Sequence, residues 1–350
     1  MKRTIKLLVL AATFAVLAVF AVPTLAQTKE CNDENKAAWY DTFLKNFKGE
    51  PAQQKIAYDA AKLYLTSCPA DPADKKADYM QNKFVVPFEK MSAATSLKTQ
   101  FEEAFKKKNY ADQIRLGKEV VAAEPDNTAA YIIMGVAGLG DPKQLNEAVP
   151  FAKKAIELIE AGKPFTPLFT TKDTALAYLN NAVGKALLQS SPADAIPYFL
   201  KAARLESDLK KNPQLYADIA GAYVEGYIVK QSDEYKAKYA NAIESPESKL
   251  ALENLNQFID RQIDAFARAT ALTSNPVGKK ALMDDLTGLY KDRNKSETGL
   301  PELLAKVLST PIPDIPTPLT ALPTPPTPTP TPTPAAPAAT PSPSPTPKKP

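Results

Sequence analysis

The chain contains no histidine among its 350 residues. That removes the usual general base near neutral pH, the Ser-His-Asp and Cys-His arrangements, and the commonest zinc ligand. Glycine is scarce at 12 residues, which disfavours an all-β chain, and no glycine loop of the phosphate-cradling type and no calcium-loop pattern occurs. Carboxylates come adjacent, as in Glu102-Glu103 and Asp284-Asp285. On helical turns such neighbours point different ways, so they read as solvated faces and not as a paired acid and base. The expectation is a protein without enzymatic activity, cofactor or metal.

Surplus charge is also missing. Basic residues number 43 against 39 acidic. Three of the basic ones, Lys2, Arg3 and Lys6, precede an apolar run from Leu7 to Val22 broken only by Thr13, and Pro23-Thr24-Leu25-Ala26 offers small residues for cleavage before Gln27. Residues 1–26 therefore read as a secretory signal peptide, with a retained anchor as the alternative near the lower length limit for spanning a bilayer. Without those residues the chain is one charge above neutral, so its pI of 8.7 is no argument for nucleic acid. The run Lys106-Lys107-Lys108 reads as a solvated helix end.

Only two cysteines occur, Cys31 and Cys68. In an exported chain they are expected to form a disulfide, since neither CxxC spacing nor histidine supports a redox or metal pair. The lone Trp39 recurs with Phe43 and Phe47 every four residues, a core pattern more than a ligand platform.

What the chain does have is a repeated helix hairpin. Leu97, Phe101 and Ala104 line one helical face, Asn109-Tyr110 punctuates, and Ile114, Gly117, Val120 and Val121 line a second. About 34 residues on, Tyr131, Met134, Gly135 and Gly138 are followed by Ala148, Ala152, Ala155 and Ile156. Leu179, Ala182, Val183 and Ala186, then Ala195, Ile196, Phe199 and Ala202, keep the same large-small alternation, and Tyr216, Ile219, Ala220 and Tyr223 restate the first-helix face. The longer step from Leu179 to Tyr216 is read as a helix running on to Leu209-Lys210-Lys211. Such large-small faces let antiparallel helices approach closely.

These segments resemble the tetratricopeptide repeat family, best over residues 94 to 225. The resemblance implies an all-α fold, a right-handed superhelix of helix hairpins (an α-solenoid), with an ordinary helical bundle as the alternative. It also implies a concave groove that binds a partner peptide or helix. Groove candidates between the buried positions are Lys98, Ile132, Asn180, Asn181, Lys185, Asp218 and Glu225, with Asn180 and Asn181 foremost because a carboxamide offers donor and acceptor to a peptide backbone.

The expected organisation is a signal peptide over 1–26, a degenerate hairpin region over 27–93, repeats over 94–229, an extended helical part and cap over 230–310, and a disordered tail over 311–350. About half of the 33 prolines fall in that tail, where they remove backbone donors and fix φ. It is expected to be a semi-stiff spacer on the order of 100 Å long at ~3.1 Å per residue. A tether through the envelope, a glycosylation substrate, a ligand for a proline-reading domain and a partnerless tail all remain open for it. The functional expectation is a non-enzymatic scaffold of the cell envelope, in the periplasm or outside the cell, that binds an unidentified protein and has no membrane span once the leader is gone. The alternative is a small-ligand receptor with a pocket between the array and residues 230–248.

Overall fold

The computed structural model describes residues 30–165 and 168–322. The expected signal peptide and residues 323–350 of the expected tail lie outside them. Among the described residues the protein is all-helical, without strands. It divides into two compact units, one up to Gln100 and one from Phe101, so the boundary falls seven residues after the one expected from sequence.

In the first unit, α1 (Asp33–Asn46) starts where the Asn32 side chain accepts a hydrogen bond from the Asn35 N–H at 2.8 Å, with Asp33 and Glu34 complementing the helix dipole. α2 (Pro51–Ser67) opens on Pro51, whose missing N–H costs nothing in a first turn. α3 (Lys75–Tyr79) is capped by Asp74, which accepts from the Lys76 and Ala77 amides at 3.0 Å each. A π-helical turn over 80–85 then leads into α4 (Val86–Lys106). Pro87 accounts for the turn: it supplies no donor to the Lys83 carbonyl, and the wider turn absorbs the mismatch. Trp39 and Phe43 pack with Ala57, Ala60, Tyr64 and Met80 in the core. The Cys31–Cys68 disulfide ties the chain before α1 to the end of α2, Cα atoms 4.9 Å apart.

The second unit is a succession of hairpins: α5 (Tyr110–Ala123), α6 (Thr128–Gly140), α7 (Leu145–Glu160), α8 (Lys172–Ser190), α9 (Pro192–Arg204) and α10 (Pro213–Tyr223). Asn109, Asn127, Thr171 and Asn212 cap α5, α6, α8 and α10 with their side chains. Each helix packs on the next from α5 to α10, and α6 touches α8 as α8 touches α10. Small residues permit this closeness. A Cβ on Gly135 of α6 would sit 2.7 Å from the Ala152 Cα of α7, and one on Gly184 of α8 would meet the Phe199 ring at 2.6 Å.

One expectation changes here. α9 does not run on to Lys211; it ends at Arg204, and a 3₁₀ turn over 208–211 anchored by buried Leu209 accounts for the longer spacing. Residues 224–228 form a π-helical turn joining α10 directly to α11 (Val229–Tyr239), so the extended helical part expected after residue 230 begins as a continuation of α10.

α12 (Pro246–Leu272) packs along α10, and α13 (Pro276–Asn294) and α14 (Leu300–Lys306) close a smaller cluster around Ile263, Leu286 and Val307. No helix among the described residues is long and apolar enough to cross a membrane.

Candidate functional site

Two places in the second unit merit scrutiny. The first is the face carrying the sequence-derived groove residues. Lys185 of α8 donates to Asp218 of α10 at 2.6 Å, and Gln214 holds the other Asp218 oxygen at 2.8 Å. Glu225 lies exposed in the π-helical turn that follows. Asn180 and Asn181 are not on an open face: they are only 2% and 5% exposed. α8 touches α6, α7, α9 and α10, leaving little of its middle to solvent. The Asn180 amide turns back onto the Leu176 carbonyl at 2.7 Å, and the Oδ1 atoms of both residues have no partner among the described residues. Ile132, on α6, is fully buried, whereas Lys98 is exposed on α4 and belongs to the first unit, apart from the other candidates. Lys185 and Asp218 are thus brought together, but Asp218, 8% exposed and bonded at both oxygens, is drawn inward with the paired carboxamides.

The second place was not legible as a site. Residues 310–322, counted from 311 as tail in the sequence reading, are not free: they run as an extended strap over α9 and α12. Ile312 and Ile315 pack against the core cluster that holds Phe199, Tyr223 and Phe258, and Pro316 is buried. The polar contacts are ordered along α12. Arg268 donates to the Pro311 carbonyl at 3.2 Å and to the Thr310 hydroxyl at 3.4 Å. Arg261 donates to the Asp314 carbonyl at 2.7 Å. Asn254 takes Leu319 at both ends, donating to its carbonyl at 3.2 Å and accepting from its amide at 2.6 Å. From α9, Arg204 reaches the Asp314 carboxylate at 2.6 Å and the Ile312 carbonyl at 3.4 Å.

The spacing explains the fit. Asn254, Arg261 and Arg268 recur every seven positions, close to two helical turns, so they form one stripe with about 10 Å between members. Their contacts fall on residues 319, 314 and 311, so the strap runs antiparallel to α12. At ~3.1 Å per residue of extended proline-rich segment, the three residues from 311 to 314 cover about 9 Å, matching one step of the stripe, while the five from 314 to 319 cover about 15 Å, longer than the other step. Arg268 is the most deeply placed, its side chain 5% exposed and its charge balanced by Asp264 at 2.7 Å. A buried guanidinium needs acceptors for all its donors, and strap atoms supply some of them.

The core cluster on which Ile312 and Ile315 pack includes Tyr223, 1% exposed, its hydroxyl without a partner among the described residues. Burial pushes its pKa up to about 12. Tyr216 is also raised by burial, and its hydroxyl donates to the Lys210 carbonyl at 3.1 Å. A cavity of about 710 Å³ opens between the α9–α10 connection and the start of the strap, with Lys211, Tyr216, Arg268 and Leu272 in its wall.

In the first unit, Asp74 accepts from the Tyr64 hydroxyl at 2.7 Å and pairs with Lys36 at 3.3 Å. Its pKa is lowered to about 2, chiefly by the Ala77 amide and further by Tyr64 and Lys36. This is a helix cap built into a loop. The adjacent carboxylates form exposed ion pairs within their own helices, Glu102 with Lys106, Glu103 with Lys107 and Asp284 with Lys280. No cluster of three acidic or thiol side chains that could hold a metal occurs among the described residues.

Compared with known proteins, the chain matches no family model, no curated protein and no solved structure. The class is therefore defined by its own geometry: an all-helical protein whose second unit holds an extended segment on a polar stripe.

Proposed function

We propose that this protein is a non-enzymatic interaction scaffold of the cell envelope, exported to the periplasm or beyond, whose helix hairpins form a tetratricopeptide-like solenoid that binds a partner peptide or helix. The observation that carries the reading is the strap. A helical surface here already grips an extended peptide, with three arginines and an asparagine bonding to its backbone, which is how recognition surfaces take up chain segments. The sequential contacts of α6, α8 and α10 support the stacking of first helices that such a groove requires. Lys185 and Glu225 are the groove residues offered to the partner; Asp218, itself only 8% exposed, holds Lys185 in place, and Asn180 and Asn181 lie buried as acceptors. Export is supported by the leader-like sequence pattern and the Cys31–Cys68 disulfide.

Crosslinking mass spectrometry on envelope fractions tests it. A reproducible protein partner mapping to residues 95–225 is expected; crosslinks confined to the proline-rich tail would refute groove recognition.

A second reading, a receptor for a small ligand, is favoured by the cavity of about 710 Å³. It lies beside the strap and not against residues 230–248, where the sequence suggested a pocket. Its wall joins apolar Leu272 to cationic Lys211 and Arg268, which suits an apolar molecule with an anionic end. Co-purification of such a molecule, without protein crosslinks, would favour this reading.

A further inference from the structure

The strap contacts have the form of a ligand complex in which both partners belong to one chain. We propose that the stripe Asn254–Arg261–Arg268, with Arg204 beside it, is a reader of extended Ile-Pro-acidic-Ile-Pro segments, and that residues 311–319 occupy it in cis until a partner's segment of the same chemistry displaces them. This deepens the scaffold reading and rests on it for the existence of a partner.

Four observations carry the inference. First, most of the polar contacts are made to peptide groups: Pro311, Ile312 and Asp314 through their carbonyls and Leu319 through carbonyl and amide. Backbone bonds of this kind do not depend on the segment belonging to this chain. Second, side-chain selectivity is present as well. Arg204 meets the Asp314 carboxylate, and Ile312 and Ile315 enter the apolar cluster. In a polyproline-like segment, with three residues per turn, positions 312 and 315 share one edge. Third, the strap is shallow. Asp314 is 86% exposed, and only Pro316 among residues 311–319 is buried. Segments with few buried contacts open locally at low free energy. Fourth, Tyr223, a member of the core cluster on which Ile312 and Ile315 pack, keeps a buried hydroxyl with no partner among the described residues.

Cis tethering sets the scale of the competition. A short tether corresponds to a millimolar effective concentration, so an untethered segment competes only when it binds well or when the strap is weakened. The test therefore uses the full chain carrying D314A and I315S, beside the wild type. Both substitutions fall on the strap and leave the stripe intact. The probe is a fluorescein-labelled synthetic peptide of residues 310–320. Binding at least about tenfold tighter to the weakened chain than to the wild type is expected. Adding R261A to the weakened chain should lose about fivefold or more, as for a hydrogen bond to a charged donor.

On the wild type, excess peptide should speed hydrogen exchange of the Leu319 amide, because displacement frees it from Asn254. The inference falls if the weakened chain binds no tighter, if a scrambled peptide of the same composition binds equally, or if exchange at Leu319 is unmoved. It also falls if the wild type is a concentration-dependent dimer that D314A and I315S dissolve, since the segment would then be exchanged between copies. Peptide binding without crosslinked partners at residues 95–225 would retain the reader and sink the groove reading; the reverse result would do the opposite.

Discussion

The two units solve the same problem with different means. The unit up to Gln100 has a core rich in large rings: Phe43 stacks on Phe47 with centroids 5.0 Å apart and meets Phe84 edge-on at 5.1 Å. It adds a covalent staple. The unit from Phe101 has neither cysteine, and its interfaces are lined by Ala and Gly that let backbones nearly touch. Size explains the contrast. A short helical unit buries a smaller fraction of its surface and needs bulk and a crosslink, whereas a longer array gains an interface with each added helix.

The largest test of that contrast is removal of the staple. In the chain-entropy account, C31S with C68S should cost the first unit about 3–4 kcal/mol. Trp39 is the sole tryptophan and sits in that unit's core, so its fluorescence reports that unit by itself, while far-UV circular dichroism is dominated by the longer second unit. The fluorescence transition should move to markedly lower temperature and the dichroism transition should hardly move. A common shift of both would dissolve the distinction. The converse substitution is G135A. Its methyl would need to occupy space 2.7 Å from the Ala152 Cα, where backbone must yield, at a cost of about 1–3 kcal/mol. Here the dichroism transition should fall and the Trp39 transition should stay.

How much of this was legible beforehand follows the same division. The helices of the second unit could be read because Gly135, Ala152, Ala182, Ala186 and Ala195 recur on matching helical faces, with Asn109-Tyr110 as punctuation between two of them. The disulfide was legible because only two cysteines existed. Whether Asn180 faces water was not legible. Helical periodicity gives an angle around an axis, but α8 has neighbours on four helices, and no local rule counts neighbours. Composition averaged over the whole proline-rich end hides the strap. Ile312, Ile315 and Leu319 sit before the purely Pro-Thr run begins, and the first two are spaced for one edge of a polyproline segment. The complementary signal was the seven-residue recurrence of Asn254, Arg261 and Arg268 beside the apolar stripe of α12.

A smaller effect separates the units by pH. Asp74 titrates at about 2 in the folded first unit against 3.8 for the free side chain. A depressed folded pKa gives stability that is fully present above about 3.8 and is lost as pH falls towards 2. With the carboxylate side chain 13% exposed and screening discounted, the contribution is about 1–2 kcal/mol. The Trp39 transition should therefore soften over that window. In D74N it should start lower and change less; equal slopes in the two chains would refute Asp74 as the cause.

The smallest effect tests whether the strap belongs to the second unit's stability or only to its surface. Asn254→Ala removes both bonds to Leu319, worth about 0.5–1.5 kcal/mol each in net terms. α12 keeps Leu255, Phe258 and Ile263 buried regardless, so the helix has no reason to melt. The loss should be confined to the strap: faster hydrogen exchange at the Leu319 amide, with both thermal transitions in place. If instead the dichroism transition drops by several degrees, the strap is a structural cap on α12, on which the second unit depends as the first depends on its disulfide.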